Sequence, residues 1–301
     1  MFTRHIRFRH ARAAAILLSA TLIAGGAMSR ELMLVGDDEK TTWDDAGEPV
    51  TRAPGKDLVL VVDIADRLAP VIVARLPLMN TIFGPPTNLQ ITPDGKLALV
   101  ANSMDWVADG DGWKPSPDKI AGNSVKLIDT VPMGEQVAHV AIAPDGKHAL
   151  AAKFPGNKIA LLEIDGDKVT FNKQDIPVGL WPYNVDVTPD GKLALTADNG
   201  FNGYADGNVD TISVIDIEST PPRVIDKLVV DEAPEGLAIS PDGKFAVAAL
   251  LHGSNADRNA FFYHRNGSVA LLKIDGKKVT RVQDLDVRGL PEGVVWSDDG
   301  Q

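Results

Sequence analysis

The sequence predicts an all-β fold, a β-propeller of four-stranded blades, on three observations. A short motif recurs at blade-sized intervals, each copy has a hairpin turn at its centre, and alternating apolar runs flank that turn. Four copies are full: Leu89-Gln-Ile-Thr-Pro-Asp-Gly-Lys-Leu-Ala-Leu-Val100, Val140-Ala-Ile-Ala-Pro-Asp-Gly-Lys-His-Ala-Leu-Ala151, Val185-Asp-Val-Thr-Pro-Asp-Gly-Lys-Leu-Ala-Leu-Thr196 and Leu237-Ala-Ile-Ser-Pro-Asp-Gly-Lys-Phe-Ala-Val-Ala248. A weaker fifth reads Val294-Val-Trp-Ser-Asp-Asp-Gly-Gln301. Asp94, Asp145, Asp190, Asp242 and Asp299 are 51, 45, 52 and 57 residues apart, which matches the length of a blade.

Residues 1–27 have the layout of a secretory leader: Arg4, Arg7, Arg9 and Arg12, then the apolar run Ala13–Ala24, then small residues to Ala27. The run is too short and too rich in alanine to span a bilayer, which takes about 20 apolar residues. Residues 28–54 read as a lead-in and residues 55–301 as the propeller. The propeller opens with the strand pair Asp57–Asp63 and Val71–Arg75.

Within a repeat, proline presets φ at the turn, aspartate bonds back to the backbone and glycine takes the left-handed conformation. Tyr183–Thr188 and Leu193–Ala197 are examples of the two strands flanking it. The third strand is Ser124–Asp129, Lys158–Ile164, Thr211–Ile217 or Ser268–Ile274. A more polar fourth follows, as in Lys168–Phe171 and Lys278–Arg281.

The formal net charge is −11, and loss of the leader's four arginines leaves −15 on the exported part. Such an acidic chain has no basic stripe to release counterions from nucleic acid or from an anionic membrane, so neither is expected as a partner. Cysteine is absent, which excludes disulfides, a thiolate nucleophile, thiolate zinc and iron–sulfur clusters. Export without disulfides fits a bacterial periplasm.

Asp210-Thr-Ile-Ser-Val-Ile-Asp216 and the Pro-Asp-Gly-Lys-Leu-Ala-Leu runs resemble the YVTN-repeat propellers, the group that includes YncE-like and lactonase-like seven-bladed proteins. The resemblance covers roughly residues 55–301. It implies a seven-bladed ring and is compatible with enzymes, scaffolds for cofactor proteins and binding proteins. A WD-repeat reading is disfavoured because the single Trp-Asp pair, Trp43-Asp44, precedes the first blade. Two departures stand out. The fifth copy ends inside its turn, so the ring is expected to be incomplete at its C-terminus, as in a fragment of a longer protein. The connection after Thr130 is also short, as though about ten residues or a blade were missing.

Strand order places the Pro-Asp-Gly turns on one face of the disc and the long insertions, 102–123, 198–209 and 251–267, on the other. Alignment by the turns brings Thr87-Asn88, Ala138-His139, Tyr183-Asn184, Glu235-Gly236 and Glu292-Gly293 to equivalent positions at the entry to each first strand. They are expected to ring the mouth of a central channel. Asn88, Tyr183, Asn184 and Trp181 are candidates to bind a small polar ligand, or the same groups are satisfied by channel water.

His139, Glu235, Glu292 and Arg288 are the catalytic candidates: His139 with either glutamate as base or water activator, Arg288 as oxyanion stabiliser. His139 resembles the histidine of lactonase-type propellers, while Ala141 departs from their commoner doubled histidine. His148 belongs to the turn face. His252 and His264 are twelve apart in one loop with no metal-binding spacing, and no metal or cofactor is expected. Asp105, Asp109, Asp111 and Asp118 lack the pattern of a helix-flanked calcium loop. Trp106, Trp113, Trp181, Phe261, Phe262 and Tyr263 either stack on a ligand or pin their loops.

No nucleophile elbow, phosphate loop or dinucleotide fingerprint occurs. These residues fit an exported, monomeric module that binds a ligand or a periplasmic protein. A lactonase-like hydrolase is the alternative, and a partner subunit for a quinone or heme dehydrogenase a weaker one.

Overall fold

The computed structural model describes residues 31–44, 49–80, 89–102, 105–116, 131–201 and 205–300. The leader, Asn88 and the expected strand Ser124–Asp129 lie outside them. No helix among the described residues is long and apolar enough to cross a membrane.

The chain is built of antiparallel sheets in sequence order. Strands β1 (Leu32–Asp37), β4 (Leu58–Asp63) and β5 (Val71–Pro77) form a three-stranded sheet, with the hairpin β2 (Thr41–Trp43) and β3 (Pro49–Thr51) inserted. Next come the hairpins β6 (Leu89–Ile91)/β7 (Ala98–Val100) and β8 (Asp105–Asp109)/β9 (Gly112–Ser116), the second inside what reads as a long loop. Three complete four-stranded blades follow. The first holds β10 (His139–Ile142), β11 (His148–Lys153), β12 (Lys158–Asp165) and β13 (Lys168–Pro177). The second holds β14 (Pro182–Val187), β15 (Leu193–Asp198), β16 (Thr211–Asp216) and β17 (Arg223–Val229). The third holds β18 (Pro234–Ile239), β19 (Phe245–Leu250), β20 (Asn266–Asp275) and β21 (Lys278–Arg288). Each blade is an up-and-down meander, the propeller unit.

The turn chemistry recurs almost atom for atom. Glycines 95, 146, 191, 243 and 300 all have φ between 65° and 71°. Asp94, Asp145, Asp190 and Asp242 accept from the N–H two residues on at 2.7–3.1 Å. Thr92, Thr188 and Ser240 donate their hydroxyls to the turn aspartate and accept from the backbone five residues on. Ala143 has no hydroxyl, and in that blade His148 Nδ1 meets Asp145 Oδ2 at 2.6 Å instead.

The fourth strands β13 and β21 run further than their polar sequences suggest. A bulge in the fourth strand precedes the extension in each blade, opposite Ala160/Leu162, Val214/Ile215 and Leu271/Leu272 of the third.

The core lies between blades. Leu193, Leu195, Ile212 and Val214 of the second blade pack on Leu237, Leu250 and Leu272 of the third. Ile159 and Ile176 meet Val185 and Ile215 in the same way. Ala101 and the half-buried Leu97 and Leu99 pack on Val140, Ala149 and Leu162. First strands of successive sheets are neighbours along the inner side. They are joined by side chains: Gln90 Oε1 accepts from Ile142 N at 2.6 Å, Asp186 Oδ2 from Ile239 N at 2.8 Å, and Trp296 Nε1 donates to Ala238 O at 3.0 Å.

On the turn face the repeats climb like a stair. A Cβ built on Gly146, Gly191, Gly243 or Gly300 would lie 3.2–4.0 Å from Cδ of the preceding proline, Pro93, Pro144, Pro189 or Pro241. The Pro93 step and the Gln90 bond place the β6/β7 hairpin directly beside the first complete blade. The expectation of a blade lost after Thr130 is therefore corrected: no blade stands between these two.

Candidate functional site

His139, Asn184 and Glu235 come from three consecutive blades and sit where their first strands begin. His139 opens β10 and is 3% exposed; Asn184 lies in β14 at 2%. The Val185 N–H donates to His139 Nδ1 at 3.4 Å, tying the histidine to the next blade's first strand. That bond needs the neutral imidazole with its proton on Nε2.

Glu235 in β18 faces the second blade. Asn199 Nδ2 donates to Pro234 O at 3.2 Å and to Glu235 Oε1 at 3.5 Å. Burial pushes the Glu235 carboxyl up to about 7; the nearby Glu292 charge adds to the shift and Asn199 opposes it. Glu292 follows β21 on an exposed segment beside β18, so close that a Cβ on Gly236 would fall 2.0 Å from Glu292 O. Glu235 is thus a carboxyl that exchanges its proton near neutrality.

The amide oxygens of Asn184 and Asn199 are buried without a hydrogen-bond partner. Both side chains are at most 2% exposed. The Asn199 amide cannot simply be turned over, because its nitrogen already holds Pro234 O and Glu235. Its acceptor oxygen is left for a donor from outside the chain.

The other candidates fall elsewhere. Trp181 (φ 55°) packs edge-on against buried Phe154, centroids 4.8 Å apart, and its backbone N–H donates to Asn157 Oδ1 at 2.8 Å. It pins the junction of two blades, the second of the roles open to it. Tyr183 is half-buried in β14. Arg288 ends the outermost strand β21, exposed and in register with Asn266. It stands at the rim of its blade, whereas Glu235 stands on the innermost strand.

Two polar groups escape a sequence reading because their partners are remote in the chain. At the end of each second strand, the position equivalent to Asn102 holds Lys153, Asp198 or Leu250. Lys153, 3% exposed, meets Asp175 at 3.0 Å, and Lys158 meets Glu135 at 2.6 Å. Asp198, 1% exposed, accepts from Thr196, Thr211 and Ser213 at 2.6–2.8 Å, and burial still pushes its carboxyl up to about 6.

The second group is a cleft of about 90 Å³ on the insertion face, lined by Gly207, Val209, Asp231, Glu232, His252, Phe262 and His264 among others. His252 Nδ1 lies 2.5 Å from Asp231 Oδ2, and the two histidine rings meet at a tilt of 41° with centroids 4.2 Å apart. Twelve residues of loop separate them in sequence, and the fold brings them together.

Meander blades with their cores between them, and first strands of successive blades side by side, define a β-propeller. Solved structures agree on that fold. The chain matches a protein described as a 6-phosphogluconolactonase from Bacteroides uniformis with a TM-score of 0.56 at 16% identity, over 89% of this chain and 75% of that one. It matches the periplasmic gluconolactonase of Pseudomonas aeruginosa with a TM-score of 0.50 at 15% identity, over 84% and 70%. Against the hydrazine synthase of Kuenenia stuttgartiensis the TM-score is 0.49 at 23% identity, over 74% of this chain and 55% of that one, so this chain spans about half of that protein's length. No family model matches the sequence and no curated protein matches it. Likeness at these identities concerns the fold.

Proposed function

We propose that the chain is an exported YVTN-type propeller that binds a small, hydroxyl-rich ligand at the channel mouth. The observation that carries this reading is the pair of buried acceptors, Asn184 Oδ1 and Asn199 Oδ1, near a carboxyl poised between its charge states. A buried acceptor left without a donor costs about 1–3 kcal/mol, which a ligand hydroxyl recovers. Glu235 both accepts and donates near pH 7, so it suits a partner whose hydroxyls do the same. The leader-like residues 1–27 support a periplasmic location.

The test is thermal shift and calorimetry on the chain without its leader, with glucose, gluconate and glucono-1,5-lactone as probes. Saturable binding of at least one, weakened about tenfold or more by Asn199→Ala and by Glu235→Gln, is the expected result. No binding by any probe, or binding that both variants keep, removes the reading.

Lactone hydrolysis is the second reading, favoured by the Glu235 carboxyl near 7, the range a general acid or base needs. It expects turnover of glucono-1,5-lactone above background with an apparent pKa near 7, abolished in Glu235→Gln. Equal rates for wild type and variant would end it.

A further inference from the structure

The geometry points to a divalent transition-metal site, of the Zn²⁺ class, in the cleft between residues 207–209 and the 251–267 insertion, held by His252 and His264. His252 is fixed from three sides. Its N–H donates to Glu232 O at 3.1 Å, the neighbouring Leu251 N–H donates to Ala233 O at 3.1 Å, and its ring Nδ1 meets Asp231 Oδ2. It holds a left-handed φ of 51°, a conformation that costs energy for a residue with a side chain. With Nδ1–H given to the carboxylate, the lone pair stays on Nε2. A carboxylate behind one imidazole nitrogen is the support that metal-ligating histidines use to set tautomer and raise basicity.

His264 reaches the same cleft because the loop doubles back tightly. Its N–H donates to Gly253 O at 3.4 Å, and a Cβ on Gly253 would fall 2.3 Å from Phe262 O. Only glycine lets the 262–264 segment lie this close. Two imidazoles bound to one tetrahedral ion at about 2.0–2.1 Å hold their ring centroids about 5 Å apart, so rings that stand 4.2 Å apart need to part by only about 1 Å to take the ion between their nitrogens.

The surroundings are anionic. Glu232, 5% exposed, lines the cleft and accepts from the Asp206 and Gly207 N–H groups at 2.6 and 2.7 Å, which fastens the facing loop to the site. Asp231 and Asp210 add carboxylates nearby. Among the described residues no three His, Cys, Asp or Glu side chains converge as a complete cage. In the proposed site the two histidines are the protein ligands, and water takes the remaining positions. That is an open site, able to take a further ligand on the face where the channel opens.

Calorimetry with Zn²⁺ alone, on the leaderless and untagged chain in chelator-free buffer, tests this. One saturating equivalent is expected. His264→Ala and His252→Ala should each weaken it at least tenfold. Asp231→Asn, which removes only the support, should weaken it by roughly tenfold while binding stays stoichiometric. Co²⁺ should report the same site by its visible absorption, lost in His264→Ala. His264 is exposed, so that variant should keep its far-ultraviolet spectrum. Glu235→Gln should leave zinc affinity unchanged, which separates this site from the channel mouth. No saturable zinc binding, or binding that His264→Ala leaves intact, overturns the proposal; the latter would assign the ion to the diffuse acidic surface.

Discussion

Individual buried charges in this chain are held by few partners, and that makes them sensitive. Lys40, 1% exposed, is enclosed by the Asp57 carboxylate and by Asn80 O at 2.7 Å. Lys40→Met leaves Asp57 charged and buried without its cation and should cost about 3–5 kcal/mol in chemical denaturation. Lys40→Met with Asp57→Leu should recover much of that loss, since removing both charges is far milder than removing one.

Asp186 and Asp198 carry a pH signature. Burial raises both carboxyls to about 6, from 3.8. A carboxyl raised in the folded state binds its proton more tightly there, so the protein loses stability as pH rises from about 4 through 6. The turn aspartates Asp94 and Asp242 are lowered to about 2, the first mainly by the Lys96 ammonium, the second mainly by the Lys244 backbone N–H. Their contribution is present above about pH 4 and disappears below it. Melting temperature should thus rise as pH is lowered from about 6 to about 4 and fall below about 4. Asp186→Asn should make the first limb shallower, with Asp198 carrying what is left of it, and leave the second unchanged.

At the level of one strand pair, the turn chemistry decides most of the outcome. Ser240, 3% exposed, supplies the hydroxyl that Asp242 and the Phe245 N–H both use. Ser240→Ala should cost about 1–3 kcal/mol, read from urea midpoints. The same loss is already present at Ala143, where His148 has taken over the aspartate.

This local character is why the hairpins and the first three strands of the three complete blades were legible in the sequence. Alternation and Pro-Asp-Gly carry them without help from distant residues. The outer strands were underread because β21 continues to Arg288 through polar residues, held only by its ladder with β20. The site was half legible. Turn alignment found His139, Asn184 and Glu235, but Asn199 became visible only through its bond to Glu235, from another blade. His252 and His264 had no signal at all, since a loop's backbone bonds and one glycine set their approach.

Over the whole molecule, stability is graded along the chain. The three complete blades share cores of fully buried residues, whereas β6 and β7 contribute three residues each and the exposed Val71, Ile72 and Val73 of β5 lack such cover. Hydrogen exchange should protect β14–β16 and β18–β20 longest and release β5, β6 and β7 first. Uniform exchange across all sheets would contradict this, since neighbour-stacked units open where each has least to lean on.

The stair of prolines on the turn face governs what happens on the opposite side. At Gly243 the clearance is 3.2 Å to Pro189, tighter than an ordinary methyl contact, while the other three steps leave 3.6–4.0 Å. Alanine at residue 243 would act as a shim under one edge of the third blade. Because the Gly243 turn joins β18 to β19, the tilt would shift Glu235 at the other end of β18 relative to Asn199, so that a residue touching no ligand could still set how tightly one is held.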